Sequence, residues 1–206
     1  RKTFVTSGAV CLIIIAATSL YGVINARIIR TTSYEITVDK PSASRQLNIV
    51  LAADLHMGYN IGRSHIRQMV DKINACNPDL VVIAGDIFDN DYDALDNPEE
   101  LIEILSGIKS KYGVYACYVN HDIKEKVLAG FTFKNKNEKP VSDSRMDEFL
   151  EKAGIKLLKD EYVLIDDSFY LYGRPDAERP GRDITVRKTP EEIVSQLDTS
   201  KPIIVI

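Results

Sequence analysis

Three apolar runs in this chain stop in the same way. "LNIVLAADLH" (47–56) closes on Asp54-Leu55-His56, "DLVVIAG" (79–85) passes into Asp86-Ile87-Phe88-Asp89, and "GVYACYV" (113–119) is followed by Asn120-His121-Asp122. A short run apolar on both faces has no side to offer water, so it reads as a strand covered above and below. Between the first two runs, Ile66, Met69, Val70 and Ile73 recur at helical spacing, and Asn77-Pro78 ends that helix. Asn97-Pro98-Glu99-Glu100 opens another, with a capping side chain, a first-turn proline and acids at the positive end of the dipole; Leu101, Ile104, Leu105 and Ile108 form its inward face. Strand, helix, strand, helix, strand implies an α/β domain with parallel strands joined by right-handed crossovers. In such a sheet, ligands gather at the carboxyl ends of the strands, and all three polar clusters stand there.

The later sequence is less regular. Ser144 is expected to cap a helix carrying Met146, Phe149, Leu150 and Ala153, which Gly154 ends. "IKLLKDEYVLIDDSFYLYGR" (155–174) has shorter, alternating stretches and reads as the antiparallel part of the sheet. Thr189-Pro190-Glu191-Glu192 fits a capping box, and "PIIVI" is a further strand. Upstream, "TTSYEITVDKPSASRQ" reads as a short strand and a Pro/Ser loop. The expected organisation is an anchor at 1–30, a linker with a first strand at 31–45, and a catalytic domain over 46–206.

From Thr3 to Ala26 no residue is charged, long enough to cross a bilayer core of roughly 30 Å. A signal peptide would have a shorter apolar region and a small-residue cleavage site, whereas Ala26 is followed by Arg27 and Arg30. We expect an uncleaved membrane anchor. Basic residues flank it on both sides, so loop charge does not orient it; "RKTFV" resembles a degraded twin-arginine export signal, which leans toward a domain outside the cytoplasm. The chain opens on Arg1 and closes on "KPIIVI", and both ends read as cut from something longer.

Composition narrows the function. A net charge of -4 and no dense basic run leave no nucleic-acid-binding surface. The cysteines, Cys11, Cys76 and Cys117, form no CxxC pair, and the last two read as packing residues. No GxGxxG or Walker loop occurs. "DIFDNDYDALDNPEE" lacks the glycine and closing glutamate of a calcium loop, so past Asp89 it reads as a solvated loop and helix start. Arg174, Arg179 and Arg182 in "GRPDAERPGRD" suit phosphate but read as an exposed loop, and His65 as surface or packing.

Imidazole mixed with carboxylate and amide oxygens suits manganese, iron or zinc, and one carboxylate can bridge two ions. The ordered set D-x-H, G-D-x-x-D, N-H-D, each closing a buried strand, resembles the calcineurin-like metallophosphoesterases, and the wording of "AADLHMG", "LVVIAGDIFD" and "GVYACYVNHD" resembles their membrane-associated branch. The resemblance implies a two-sheet sandwich flanked by helices and two divalent ions. By position, Asp54 and His56 would bind the first ion, Asp86 would bridge both, and Asn120 would bind the second. It further implies that a metal-bound hydroxide attacks phosphorus while His121 assists the leaving oxygen; Asp122 would orient His121, and Asp89 would fix a ligand's orientation. Phosphomonoesters or phosphodiesters are the implied substrates, lipid or cell-envelope derived if the anchor is a guide.

Two departures stand against that pattern. The family's third motif begins with glycine where this chain has Val119. If the turn there needs a positive φ, a β-branched residue would displace Asn120 and His121; if glycine only provides clearance, the change is mild. The family's two later histidine motifs are also missing, which we ascribe to truncation. The alternative is a non-catalytic, membrane-tethered relative whose decayed site serves as a binding module.

Overall fold

The computed structural model of the chain describes residues 2–40, 46–89, 91–119, 122, 127–128, 131–132, 143–177, 184 and 186–206. The chain divides into two compact units, Arg1–Tyr34 and Glu35–Ile206.

The first unit is built on α1 (Lys2–Ala26). Its stretch Thr6–Ala26 is the one helix among the described residues long and apolar enough to cross a membrane, and none of it is covered within the unit. Leu12, Ile13 and Ile15 are each at least 60% exposed, which water would not favour and lipid would. The Thr18 hydroxyl donates back to Ile14 O at 2.8 Å, so this polar group is satisfied inside the helix.

The second unit runs β1 (Ile49–Ala52), α2 (Arg63–Ala75), β2 (Leu80–Ala84), α3 (Pro98–Ser106), β3 (Val114–Cys117), the hairpin β4 (Val127–Leu128) and β5 (Phe131–Thr132), α4 (Ser144–Lys152), β6 (Ile155–Leu157), β7 (Glu161–Ile165), β8 (Phe169–Gly173), α5 (Pro190–Ser195) and β9 (Ile203–Val205). One sheet has the order β1-β2-β3-β6, a second β7-β8-β9. The expected helix faces form: Ile66, Met69, Val70 and Ile73 are buried on α2, and Leu101, Ile104 and Leu105 on α3. The α5 capping box is present, with the Thr189 hydroxyl accepting from Glu192 N–H and the Glu192 carboxylate from Thr189 N–H.

The sandwich core lies between the sheets, where Leu80 and Val82 of β2 cluster with Leu158, Ile165, Phe169 and Leu171. Side chains alternate along a strand, so Val81 and Ile83 face the other way, and both are fully buried on that side. Tyr170 and Tyr172 pack with Ile193 and Leu197, so α5 covers the outer face of the second sheet.

Four expectations are corrected. Residues 155–157 do not begin an antiparallel part: β6 pairs parallel with β3, because a helix, α4, carries the chain back before it. The antiparallel pair is β7 with β8, in the other sheet. Residues 31–40 form no strand; Tyr34, Ile36 and Val38 alternate as a strand would but stand 85%, 81% and 57% exposed, without a ladder partner among the described residues. β1 is covered on one side only, with Leu51 64% exposed, since it lies at the sheet edge. The α4 cap is Asp143, one residue before Ser144, its carboxylate accepting from Arg145 N–H.

Candidate metal centre

Parallel pairing puts the ends of β1 and β2 side by side, with Ala52 opposite Ile83. The main-chain bonding does not stop there. Asp54 N–H donates to Gly85 O (3.2 Å), His56 N–H to Asp86 O (2.9 Å) and Met57 N–H to Ile87 O (2.9 Å). The chain also turns left-handed where it leaves the strands: φ is 54° at Asp54, 44° at His56, 76° at Gly85 and 48° at Asp86. Such a conformation costs an ordinary residue roughly 1–2 kcal/mol, least for Asn and Asp after glycine. Three non-glycine residues held this way on one edge mark a place where geometry is fixed at the expense of local stability.

The result is convergence. Asp54, His56 and Asp86 each offer a ligand atom within 4.8 Å of the others. Donor atoms about 2.0–2.2 Å from a common ion can be no more than about 4.4 Å apart, so small side-chain adjustments suffice to close on a cation. Two carboxylates and an imidazole are a donor set for manganese, iron or zinc. Asp86 is buried, His56 half-buried and Asp54 exposed, which leaves the centre open on one side. The His56 ring stands between two acids, Nε2 3.9 Å from Asp86 Oδ2 and Nδ1 3.9 Å from Asp89 Oδ1. One ring nitrogen toward the ligand cluster and the other toward a carboxylate is how metal-binding imidazoles are commonly oriented. Asp89 is itself fixed by its N–H, which donates to Met57 O at 3.1 Å.

Asn120 and His121 lie outside the described residues, and with them the second-ion and leaving-group roles expected of them. Asp122 is described and fully buried. Its Oδ1 accepts from Ile87 N–H (2.8 Å) and Phe88 N–H (3.0 Å), and its Oδ2 from Val119 N–H (3.0 Å). Burial pushes its carboxyl up to about 6, against the pull of those three N–H groups. The sequence suggests His121, the residue before it, as the partner of Asp122; the main-chain partners are not legible there, because no side-chain pattern encodes the direction of a loop N–H.

At Val119 the structure bears on the backbone and the clearance, while the placement of Asn120 and His121 lies outside the described residues. Val119 is not among the residues with positive φ, so its backbone does not require glycine. Its side chain lies on Gly85: a Cβ built on Gly85 would be 2.9 Å from Val119 Cβ and 2.6 Å from Cγ1. The glycine closing β2 makes room for the valine closing β3.

The acid-rich loop beyond Asp89 is less solvated than expected. Tyr92–Ala94 form a 3-10 turn with Ala94 buried, and the Arg145 guanidinium spans Asp93 (2.6 Å) and Asp143 (2.7 Å) while lying 4.6 Å from the Tyr92 ring centre. Of the three arginines in 173–183, only Arg174 is described, half-buried, its N–H donating to Ile206 O at 2.8 Å.

Comparison with known proteins agrees with this edge. The model of the family described as calcineurin-like phosphoesterase matches residues 47–205. A zebrafish (Danio rerio) transmembrane protein with metallophosphoesterase domain is 31% identical over 156 residues, covering 70% of this chain and 35% of its own. An uncharacterised metallophosphoesterase of Campylobacter jejuni is 27% identical over 150 residues, 70% of this chain and 38% of its own. A UDP-2,3-diacylglucosamine pyrophosphatase of Chlamydia trachomatis is 30% identical over 76 residues, 37% of this chain and 22% of its own. The chain thus spans little more than a third of the length of the first two relatives. With the two-sheet fold, the acid-and-histidine edge and a family match over most of its length, this chain belongs to the calcineurin-like phosphoesterase family.

Proposed function

We propose that the chain is the metal-binding part of a membrane-anchored phosphohydrolase acting on phosphomonoesters or phosphodiesters. The observation that carries this reading is the convergence of Asp54, His56 and Asp86 at one sheet edge. Asp54 and His56 would hold one divalent ion, Asp86 would be shared with a second, and Asn120 would contribute to the second; manganese, iron or zinc fits the donors. When bound, such ions supply positive charge for the phosphoryl oxygens and make water a stronger nucleophile near neutral pH.

The chain's own groups do the rest. Asp89 keeps the His56 ring turned toward Asp86. Asp86, buried and tied through its carbonyl to His56 N–H, keeps its carboxylate in place without reorganising during reaction. His121 donates the proton that the leaving oxygen needs. A lipid or cell-envelope phosphoester as substrate is supported by the apolar helix Thr6–Ala26 and by the similarity to a pyrophosphatase named for a diacylated sugar nucleotide. We place the catalytic unit outside the cytoplasm; reagents that cannot cross the membrane, applied to intact cells, would then reach it.

The test of catalysis uses the intact protein to which this chain belongs, with manganese and bis-p-nitrophenyl phosphate, beside Asp86→Ala. Turnover reduced at least a hundredfold by the substitution is expected. No turnover in the unaltered intact protein, or turnover that the substitution leaves unchanged, defeats the enzyme reading in favour of a tethered binding module.

A further inference from the structure

We propose that Asp122 is a positioning residue for Asp86: its buried carboxylate sets the loop that presents the shared metal-binding group. The inference rests on the metal-centre reading above. The loop 85–89 is gripped from two sides. On one side its carbonyls at Gly85, Asp86 and Ile87 are taken by the N–H groups of Asp54, His56 and Met57. On the other, the left-handed turn at Gly85 and Asp86 leaves the next two N–H groups, of Ile87 and Phe88, aimed at a single oxygen, Asp122 Oδ1. Successive N–H groups converging in this way form an anion-binding concavity, and here the anion is the protein's own carboxylate.

The second oxygen anchors that carboxylate. Oδ2 accepts from Val119 N–H at 3.0 Å, and Asp122 N–H donates back to Val119 O at 3.1 Å. Residues 119 and 122 are therefore tied to each other, and Asp122 carries the tie on to 87 and 88. A shift of Asp122 moves the main chain one residue from Asp86. Among the described residues, this is the side chain whose hydrogen bonds join the loop after β2 to the loop after β3.

A role confined to general stability is separable from this one. Asp160 supplies the comparison: also buried, it accepts from Tyr172 O–H (2.8 Å) and Lys188 N–H (2.7 Å), tying the second sheet to the segment before α5. Asp122→Asn keeps an oxygen for Ile87 and Phe88 but turns an amide donor on Val119 N–H. Manganese binding to the metal-free protein is measured by calorimetry for the unaltered chain, Asp122→Asn and Asp160→Asn, with melting temperatures in parallel. Both variants should melt lower, but only Asp122→Asn should bind manganese at least tenfold more weakly. Binding within twofold of the unaltered chain, or an equal loss in Asp160→Asn, overturns the inference. Should Asp122→Asn fail to fold, Asp122→Glu keeps the charge and the acceptors but displaces them by a methylene; weaker manganese binding is expected, and unchanged binding overturns the inference. An unaltered chain that binds no manganese would remove the metal-centre reading itself, and this inference with it.

Discussion

At Gly85 and Val119, two main chains approach so closely that only one side chain fits between them. Gly85→Ala meets both that crowding and a φ of 76°, so it should lower stability by about 2–4 kcal/mol in urea titration. Adding Val119→Gly should restore part of the loss, and a double-mutant cycle would measure the coupling directly. Val119→Gly alone should leave manganese binding within a few-fold, because the valine backbone already lies outside the positive-φ region. Cys117 makes a simpler case. It is 1% exposed, and burial, seconded by the charge of Asp122, pushes its thiol up to about 12. A group whose folded pKa is raised stays protonated through the range where an ordinary thiol ionises. At pH 8 to 9, Cys117 should therefore resist iodoacetamide in the native protein and react once it unfolds, as mass spectrometry of the digest would show. An equal rate in both states would place it at the surface.

Elements show where sequence pattern suffices and where it does not. The helices were legible because a 3.6-residue period and its caps are local: the four apolar positions of α2 are the four that are buried. Substituting Thr189 or Asp143 by Ala should each cost about 1 kcal/mol by thermal melting, the typical worth of a cap. The direction of β6 was not legible, since it depends on how the chain returns to the sheet rather than on residues 155–157. Among the described residues, Tyr34, Ile36 and Val38 carry a strand's alternation without its ladder, because pairing is a property of two segments and pattern belongs to one. The same distinction divides the centre. Asp54, His56, Asp86 and Asp89 announced themselves by residue type at strand ends. The three amide contacts of Asp122 follow from backbone angles at Gly85 and Asp86 that residue names do not state.

For the molecule as a whole, α1 and the second unit ask for different surroundings. The chain should sediment with membranes and stay there in high salt. Ile14→Asp, near the middle of Thr6–Ala26, should release a measurable fraction, since an acid at a span's centre opposes insertion by about 2.5–3.5 kcal/mol. Retention of that variant in full would argue that something other than α1 holds the protein to the bilayer. The stitching of residues 54, 56 and 57 to 85, 86 and 87 has its own consequence. Those bonds run from main chain to main chain, so making them uses none of the side-chain atoms that would grip an ion. Stripping ions with a chelator should leave the far-ultraviolet dichroism unchanged at 25 °C, and loading should be fast and reversible. Holding the edge together thus falls to amides and carbonyls, which leaves the carboxylates and the imidazole of that edge available for other work.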